Sequence, residues 1–316
     1  MERVKTVADV GEDELIASFV PFLPQGGALI PSGDDAAVVA LGDPRVVVTT
    51  DALVEELHFR RDWSSGADVG WRAVMQNAAD VAAMGARPRG FVAAVTLPDH
   101  TPVAWVQDLA RGLEHACRAV ERAAGGPCGV VGGDLTGGEA LVVAVTAFGE
   151  PVGEPITRAG ARPGDTLAVA GTLGHSAAGL ALLQAGMEPE DDVYRRPDPP
   201  LAAAIGCGAT ALMDISDGLL RDAGRLARAS HVTLAFDALS PDETVMHAAQ
   251  RLGRPELALQ WTLSGGEDHS FLAAFPRKAV PEGFVPVGQV IPAGEHAVLV
   301  AGRAPLGPTG WDHFAH

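Results

Sequence analysis

The chain has 316 residues, enough for two domains that each bury a core, and its 47% hydrophobic and 20% charged residues are typical of a globular protein. Its 40 acidic and 23 basic residues give a net charge of −17, which excludes nucleic acid and anionic membranes as favourable partners. An acidic protein that handles a phosphorylated ligand would need metal cations between its carboxylates and the phosphate.

The cysteines and the hydropathy pattern indicate the cellular compartment of the protein. Cys117, Cys128 and Cys207 form no CxxC pair, so they are interpreted as free thiols in a reducing compartment. The N-terminal stretch MERVKTVADVGEDELIASFV has no signal-peptide pattern, and no uninterrupted apolar run approaches the length of about eighteen residues that a membrane helix needs. The sequence therefore predicts a soluble, cytoplasmic protein.

The first half alternates helices and strands. GEDELIASFVPFL predicts a short helix that Pro21 ends. Val38 to Leu41 and Val46 to Thr50, separated by the turn GDP, are predicted as adjacent strands with acidic motifs at their ends. A helix is expected from Asp68 as N-cap to Gly85.

Within that helix Asp80 lies about 200° from Ala78, so it is predicted to face away from the apolar stripe. Further along, the pattern predicts a strand at Phe91 to Thr96 and a helix over PVAWVQDLARGLEHACRAVERA. Two more strands are predicted at CGVVGGD and ALVVAVTAFGE.

The Gly- and Pro-rich stretch PVGEPITRAGARPGD predicts a boundary between a domain of residues 1–150 and a domain of residues 151–316. The second domain is predicted to open with a strand, TLAVAG, and a helix over TLGHSAAGLALLQAG. EPEDDVYRRPDPP is predicted to be a surface loop because of its charges and prolines.

Several short stretches place an aspartate beside Gly, Ser or Thr, next to an apolar strand or at a helix start. Alone, each is ordinary turn or N-cap chemistry. Together, such hard oxygen ligands are typical of sites that bind several magnesium ions around nucleotide phosphates. The aspartates are Asp34 and Asp35 in SGDDAAVV, Asp51 in VVTTDAL, Asp80 in QNAADVAAMG, Asp134 in VVGGDLTGG, and Asp214 and Asp217 in LMDISDGLL. The sequence contains no Walker-type, dinucleotide-binding, protein-kinase or nucleophile-elbow motif.

Taken in chain order, ten stretches resemble the thiamine-monophosphate kinase family of the aminoimidazole-ribonucleotide-synthetase-like (PurM-like) superfamily. They run from Gly11 to Phe314: GEDELI, GDDAAVV, TTDALVEELHF, NAADVAAMGARP, GGDLTGG, TRAGARPGD, AGTLGHSAAGLALL, DISDGLLRDAGRLARAS, LSGGED and GWDHF. The resemblance implies an α/β fold with mixed sheets in two PurM-like domains. It assigns ATP and magnesium binding and dimerisation to residues 1–150, whose sheet would form a barrel across a homodimer interface, and a C-terminal α/β domain to residues 151–316.

The resemblance also implies a reaction. The γ-phosphoryl group of ATP would be transferred in line to the phosphate of thiamine monophosphate, giving thiamine diphosphate and ADP in thiamine diphosphate biosynthesis. Several Mg²⁺ ions would assist, and positioning and charge neutralisation would carry most of the catalysis.

Site residues follow from the resemblance position by position. The implied catalytic residues are Asp51, Asp80, Asp134 and Asp217. The implied metal ligands are Asp35, Thr49, Thr50, Asp51, Asp80, Asp134, Asp214 and Asp217. Because neighbouring residues of an extended chain face opposite sides, Asp34 is expected to turn away from the metal site. The implied ATP contacts are Gly133, Asp134, Arg158 and Ser216, and the implied contacts to thiamine monophosphate are His58, Glu267 and Trp311.

Two departures from the family pattern stand beside these matches. His269, Ser270 and Phe271 replace the usual Tyr-Glu-Leu on the substrate side, and Ala78-Ala79 replaces Leu-Ser. Two alternatives are an ATP-dependent PurM-like synthetase or maturation enzyme with another acceptor, and a catalytically silent nucleotide-binding dimer. The first is disfavoured because Lys5 has no cysteine nearby and the chain ends at His316 rather than at a cysteine; the second is disfavoured because every matched aspartate is present.

Overall fold

The computed structural model describes residues 4–30, 37–277, 279–307 and 309–311. Asp34 and the predicted metal ligand Asp35 lie outside the described residues. The chain separates into two compact units, one formed by Met1–Val81 and Ala86–Pro151 and the other by Ala82–Gly85 and Val152–His316. The roles predicted for the two domains stay predictions. Across the described ranges, no helix has both the length and the hydrophobicity of a membrane span.

The first unit is built around a four-stranded sheet. Its helices are α1 (Glu12–Phe19), α2 (Gly66–Ala83) and α3 (Val103–Ala124), and its strands are β1 (Ala28–Ile30), β2 (Val38–Val39), β3 (Val47–Val54), β4 (Ala86–Leu97), β5 (Val130–Gly137) and β6 (Val142–Pro151). The sheet order is β3-β6-β4-β5, with only β4 and β5 parallel, while β1 and β2 pair separately. The predicted pairing of the strands at Val38 to Leu41 and Val46 to Thr50 is therefore wrong, because β2 pairs with β1 and β3 pairs with β6.

The helices α2 and α3 pack with their backbones in contact. A Cβ atom on Gly70 would lie 2.3 Å from the carbonyl oxygen of Leu109, and one on Gly112 would lie 2.1 Å from that of Ala67. Only glycine permits this approach, because any side chain would enter the neighbouring backbone. The two helices thus form a closely joined layer beside the sheet.

Two predicted details of α2 are corrected by its contacts. Ser65, not Asp68, is the N-cap: Asp68 Oδ2 accepts hydrogen bonds from the Ser65 backbone N–H and hydroxyl, and Ser65 Oγ accepts from the Asp68 N–H at 3.2 Å. Asp80 is half-buried rather than turned to solvent, because the helix is covered on both sides, as the burial of Asn77 and Ala79 shows.

The second unit has a six-stranded mixed sheet. Its helices are α4 (His175–Gln184), α5 (Leu201–Ala204), α6 (Leu219–Ser230), α7 (Glu243–Arg251) and α8 (Leu257–Ser264), and its strands are β7 (Thr166–Ala170), β8 (Ala211–Ile215), β9 (Val232–Phe236), β10 (Ser270–Phe275), β11 (Val285–Pro292) and β12 (Val298–Val300). The order is β12-β9-β11-β7-β10-β8. The apolar face of α6 packs with β7, β8, β9 and β10 into one core that includes Leu226, Leu234 and Leu272.

The predicted α/β class is confirmed, as are the predicted helices and most predicted strands. The stretch EPEDDVYRRPDPP contains neither helix nor strand, as predicted. The three cysteines are free thiols. One further correction concerns the acids, because Asp51 and Asp134 lie inside β3 and β5 rather than at strand ends.

Candidate active site

On β3 two predicted ligands project from the face of the sheet that α2 covers. Thr49 and Asp51 are two residues apart on one strand, so their side chains share a face. The Thr49 hydroxyl donates a 2.8 Å hydrogen bond to Asp80 Oδ2 on α2. Since this bond engages one carboxylate oxygen, it restricts the orientation of Asp80 and leaves its other oxygen available to a ligand. The structure thus joins Thr49 to Asp80 and places Asp51 on the same face of β3 as Thr49.

Thr50 projects from the opposite face. Its hydroxyl donates to the Val145 carbonyl at 3.1 Å and accepts from the Thr146 hydroxyl at 3.0 Å, across the β3–β6 pair. The structure therefore does not bring the Thr50 side chain together with Asp51. Its place in the metal-binding set stays a prediction that would have to rest on its backbone carbonyl.

Gly133 and Asp134 lie on β5, at the other edge of the sheet. A Cβ atom on Gly133 would lie 2.2 Å from the Ala93 carbonyl oxygen, so β4 and β5 meet here in a way that requires glycine. The register aligns Asp134 with Ala94, one position beyond the row that contains Asp51 and Ala93. Because successive residues of a strand face opposite sides, Asp51 and Asp134 of one chain project from opposite faces and opposite edges.

A cavity of about 260 Å³ adjoins Gly133. It lies within the first unit, between α1, α3, β4 and β5, and its lining is almost entirely apolar. Among the side chains that line it are Phe19, Val95, Ala110 and Leu113. It is large enough for part of a small ligand and offers that part an apolar surface.

His58 lies in the turn after β3. Its Nδ1 accepts a 3.1 Å hydrogen bond from the Val54 N–H, which assigns the proton to Nε2 in the neutral ring. Its carbonyl accepts from Arg72 Nη1 at 2.8 Å, which ties the turn to α2. The imidazole is thus held in a defined orientation and is partly exposed.

In the second unit Asp214 and Asp217 lie at the junction of β8 and α6. Asp214 is on β8 and only 4% exposed, whereas Asp217 is in the turn before α6. Asp217 Oδ2 lies 2.6 Å from Arg225 Nη2 and 3.6 Å from Arg221 Nε. Its charge is therefore already balanced by cations of α6.

Asp222, which sequence reasoning missed, completes this cluster. It is fully buried, and its Oδ2 accepts a 2.9 Å hydrogen bond from the Asp217 N–H. Burial and then the nearby Asp214 charge raise the pKa of Asp222 to about 6, although the Asp217 N–H and Arg225 oppose the shift. Acidic residues are common in the first turn of a helix, so the sequence gave no indication that Asp222 is a buried member of this cluster.

The loop between α8 and β10 carries Glu267 and His269 along the edge of β8. The N–H of Glu267 donates to the Ser216 carbonyl at 2.8 Å, and the N–H of His269 donates to that of Ile215 at 3.1 Å. Both residues have left-handed backbone, with φ of +72° and +53°. A Cβ atom on Gly266 would lie 2.5 Å from the Ser216 carbonyl oxygen, so this close approach requires glycine.

Asp268 anchors the same loop from the other side. Its carboxylate accepts hydrogen bonds from the Thr172 hydroxyl at 2.8 Å and from the N–H groups of Gly174 and His175 at 3.0 Å. It therefore binds the start of α4, where backbone donors and the helix dipole favour an anion. Burial raises the pKa of Asp268, whereas these donors and the charge of His175 oppose the shift. Glu267 and His269 are left facing β8.

His269 lies between two predicted ligands. Its Nδ1 is 3.7 Å from Asp214 Oδ2 and its Nε2 is 3.6 Å from Glu267 Oε2. Both distances exceed a hydrogen bond, and neither ring nitrogen has a hydrogen-bonding partner in the described residues. Burial opposes the charged ring, but the two carboxylates outweigh it and raise the pKa of His269 to about 10. The interaction is between charges.

Of the remaining predicted residues, Trp311 lies beside Asp217 and Arg158 lies away from it. The backbone N–H of Trp311 donates a hydrogen bond to the Asp217 carbonyl at 2.8 Å, and 54% of the residue is exposed. Arg158 is exposed, and its carbonyl accepts from Ser230 Oγ at the C-terminal end of α6. Asp217 precedes the opposite end of that helix, which is about 18 Å long. The structure thus groups Asp214, Ser216, Asp217, Glu267 and Trp311 and leaves Arg158 apart.

Another buried histidine, His175 at the start of α4, is separate from these residues. Its Nδ1 lies 2.6 Å from Asp191 Oδ2 and its Nε2 lies 2.5 Å from Asp242 Oδ2. Burial opposes its charge, but the hydrogen bonds to Asp191 and Asp242 outweigh burial and raise the pKa of His175 to about 9. No sequence signal joined these residues, because they come from three distant segments.

The donor chemistry fits magnesium, although no single cluster suffices. Among the residues that the structure describes, no three His, Cys, Asp or Glu side chains are arranged to hold a metal ion by themselves. Magnesium usually takes one or two protein carboxylates and fills its remaining positions with phosphate oxygens and water. The Thr49-bound Asp80 with Asp51, and Asp214 with Asp217, supply carboxylates of that kind.

Comparisons with known proteins identify relatives along nearly the whole chain. Residues 33–150 match the family model "AIR synthase related protein, N-terminal domain". The thiamine-monophosphate kinase of Mycobacterium tuberculosis is 43% identical over 98% of this chain and 93% of its own length, and that of Corynebacterium glutamicum is 42% identical over 98% and 95%. The structure of AaThiL complexed with AMPPCP and TMP has a TM-score of 0.78 at 32% identity and covers 89% of this chain and 91% of that one. The predicted PurM-like fold is confirmed.

Proposed function

Because this chain belongs to the thiamine-monophosphate kinase family, we propose that it transfers the γ-phosphoryl group of ATP in line to the phosphate of thiamine monophosphate. The products are thiamine diphosphate and ADP. The observation that carries the proposal is the likeness over 98% of the chain to a kinase of this specificity. The hydrogen bond from Thr49 to Asp80, with Asp51 on the same face of β3 as Thr49, supports it, because phosphoryl transfer depends mainly on positioning and charge neutralisation.

The residues of the chain perform positioning roles in this reaction. Asp51 and Asp80 hold Mg²⁺ in the first unit, with Thr49 fixing the orientation of Asp80. Asp214 and Asp217 offer carboxylates in the second unit. Bound Mg²⁺ supplies neutralisation of the phosphate charge, which an acidic protein could not provide directly.

The ligand heterocycles have separate sites. The exposed indole of Trp311 offers a face to the cationic thiazolium of thiamine monophosphate, and the Glu267 carboxylate offsets its charge. The apolar cavity beside Gly133 accepts the adenine of ATP. Ala110→Leu would narrow this cavity, so we expect it to raise the KM for ATP by roughly tenfold and to leave the KM for thiamine monophosphate unchanged.

The protein acts as a homodimer in which each active site takes residues from both subunits. The open face of the first unit's sheet exposes Val48 (59%) and Val92 (39%), around the Thr50–Thr146 pair. Such an apolar sheet face favours a partner. Asp51 and Asp134 project from opposite faces within one chain, so a site that uses both carboxylates draws them from two chains.

The first experiment is an assay of the purified protein with ATP, Mg²⁺ and thiamine monophosphate. We expect thiamine diphosphate and ADP in equal amounts, and Asp51→Asn should abolish turnover without unfolding the protein. ADP that forms only with another acceptor would support the maturation-enzyme alternative. The absence of ADP with bound ATP would support the silent dimer.

The second experiment mixes inactive variants. Asp51→Asn and Asp134→Asn are each expected to be inactive as homodimers. In a mixed dimer that shares its sites, one site of the two receives both aspartates. Coexpression in equal amounts should therefore recover about a quarter of wild-type activity. Recovery of none would show that each site is built within one subunit.

A further inference from the structure

The second unit contains another cavity, which is lined by α6 and by residues 295–298, 304, 305 and 309. We call it the α6 cavity. Its volume is about 570 Å³, which lies within the usual range for a small-molecule site of roughly 300 to 1,000 Å³. No residue predicted to contact ATP or thiamine monophosphate lines it. The α6 cavity is therefore a site to which the proposed reaction assigns no ligand.

Three arginines of α6 line this cavity. Arg221, Arg225 and Arg228 are at positions i, i+4 and i+7, so they lie on one face of the helix. Arg228 extends back along that face, because a Cβ atom on Gly224 would lie 3.1 Å from its Nη1. Among the described residues of the lining, Glu295 is the only acid. In a chain with 40 acidic and 23 basic residues, such a grouping of cations favours an anionic ligand.

The three arginines differ in their carboxylate partners. Arg225 Nη2 lies 2.6 Å from Asp217 Oδ2, and its Nη1 lies 2.6 Å from Asp222 Oδ1. Arg221 Nε is 3.6 Å from Asp217 Oδ2. Arg228 is exposed and forms no ion pair within the part of the chain that the structure describes. Its charge is therefore available to a ligand in the α6 cavity.

Asp217 has a second predicted task, which is to bind Mg²⁺. A carboxylate that binds a divalent cation attracts a neighbouring guanidinium group less strongly. Arg221 and Arg225 then carry positive charge that Asp217 no longer balances, on the same helix face as Arg228. An anion in the α6 cavity would restore the balance. Occupancy of the metal site and occupancy of the cavity should therefore strengthen each other.

We propose that the α6 cavity binds a phosphorylated small molecule through the guanidinium groups of Arg221, Arg225 and Arg228. Phosphate suits three planar donors better than a single carboxylate does, because it has more oxygens and more negative charge. Apolar lining residues such as Leu220 and Val298 would contact the organic part of the ligand. The link to Mg²⁺ at Asp217 rests on the proposed function, whereas binding in the cavity does not.

Calorimetric titration in a buffer that contains EDTA tests the binding. Without divalent cations the predicted metal-bridged phosphate site is weakened, which favours observation of the α6 cavity. The organic probes are AMP and thiamine diphosphate, and inorganic phosphate is the reference. We expect one molecule of at least one organic probe to bind per chain, at least tenfold more tightly than inorganic phosphate, because of the apolar lining. The tighter probe shows whether the ligand is a nucleotide or a thiamine phosphate.

Three variants assign the binding to the cavity. Arg228→Gln removes one cation from the lining and should weaken binding of the tighter probe by about tenfold. The matched control is Arg118→Gln, which removes an exposed arginine that pairs with Glu114 on α3 of the first unit and should bind like wild type. Asp217→Asn removes the carboxylate that pairs with Arg225, so it should tighten binding by about threefold in the same buffer.

Each outcome decides the proposal. Failure of both organic probes to bind more tightly than inorganic phosphate overturns it, as does equal affinity in Arg228→Gln and Arg118→Gln. If succinate, a dicarboxylate, binds as tightly as the organic probes, the assignment to phosphate is wrong. Unchanged or weaker binding by Asp217→Asn overturns the link between the cavity and the metal site. None of these measurements uses turnover, so they decide the inference even if wild type forms no thiamine diphosphate and the proposed function fails.

Discussion

The second unit contains two buried histidines that each lie between two carboxylates, and the two differ in how closely the partners approach. His175 is hydrogen-bonded to Asp191 and Asp242 at 2.6 and 2.5 Å. His269 stands 3.7 and 3.6 Å from Asp214 and Glu267 without a hydrogen bond. The same charge pattern therefore serves two purposes, one through direct bonds and one through attraction at a distance.

The partners explain the difference. Asp242 also caps α7 by accepting from the Val245 N–H at 3.0 Å, and Asp191 accepts from the Val193 N–H at 3.3 Å. His175 thus connects α4, a loop and α7, and its bonds are fully used for the fold. His269 instead lies beside residues whose carboxylates are predicted to bind ligands, and direct bonds to the ring would compete with those ligands.

The largest expected effect comes from Asp268, which joins the two histidine clusters. Asp268→Ala leaves the N–H groups of Gly174 and His175 and the Thr172 hydroxyl without their acceptor in a buried site. We expect a loss of about 3 kcal/mol in the free energy of unfolding, measured with denaturant. The exposed Asp237→Ala is the control, and a loss below about 1 kcal/mol would show that water replaces the carboxylate.

His175→Gln is expected to have the next largest effect. Glutamine can keep one hydrogen bond but not the positive charge that holds both carboxylates. Because 53% of the Asp242 side chain is exposed, solvent screens part of the interaction, and we expect a loss of about 2 kcal/mol. If the variant and wild type were equally stable at neutral pH, His175 would have no role in stabilising the fold.

The difference in stability between wild type and His175→Gln should depend on pH. The pKa of His175 is raised in the folded protein from 6.5 to about 9, because the hydrogen bonds to Asp191 and Asp242 outweigh burial. Folding thus favours the protonated ring, and its stabilisation is complete below about pH 6.5 and is lost as the pH rises through about 9. Denaturant titrations across this range should show the two proteins converging, and a constant gap would contradict the assignment of charge.

The smallest effect is expected at His247, whose Nδ1 pairs with Glu190 on the surface. The two side chains are 57% and 36% exposed, so water and salt screen the pair. His247→Ala should change the free energy of unfolding by less than about 0.5 kcal/mol. A larger loss would mean that contact with a carboxylate, rather than burial, determines how much a histidine contributes to the free energy of unfolding.

Sequence patterns predicted most of the elements because apolar periodicity is a local property. The helix over residues 102–123 and the strand at Phe91 to Thr96 are both present, the strand in longer form. Pairing is not local, and the β2 residues Val38 and Val39 pair with β1 rather than with β3. The orientation of Asp80 was mispredicted for the same reason, since no helical pattern shows that Thr49 lies against the polar side of α2.

In the candidate site, too, local features were predictable from the sequence and long-range contacts were not. The aspartates stood out because each has a recognisable local setting, and the resemblance supplied their roles. The contact of His269 with Asp214 spans 55 positions and that of His175 with Asp242 spans 67, so neither could be read from neighbouring residues. The separation of Asp51 from Asp134 became evident only from the strand register.

The left-handed backbone at Glu267 and His269 has a consequence for how this enzyme can change over generations. The direction of each side chain is set by the main chain and by the anchoring of Asp268, not by the identity of the side chain itself. Position 269 can therefore change by single substitutions to residues that tolerate a left-handed backbone, such as asparagine or aspartate, without redirecting the backbone of Glu267. Selection on substrate preference can act there through single substitutions, while the backbone of the loop stays unchanged.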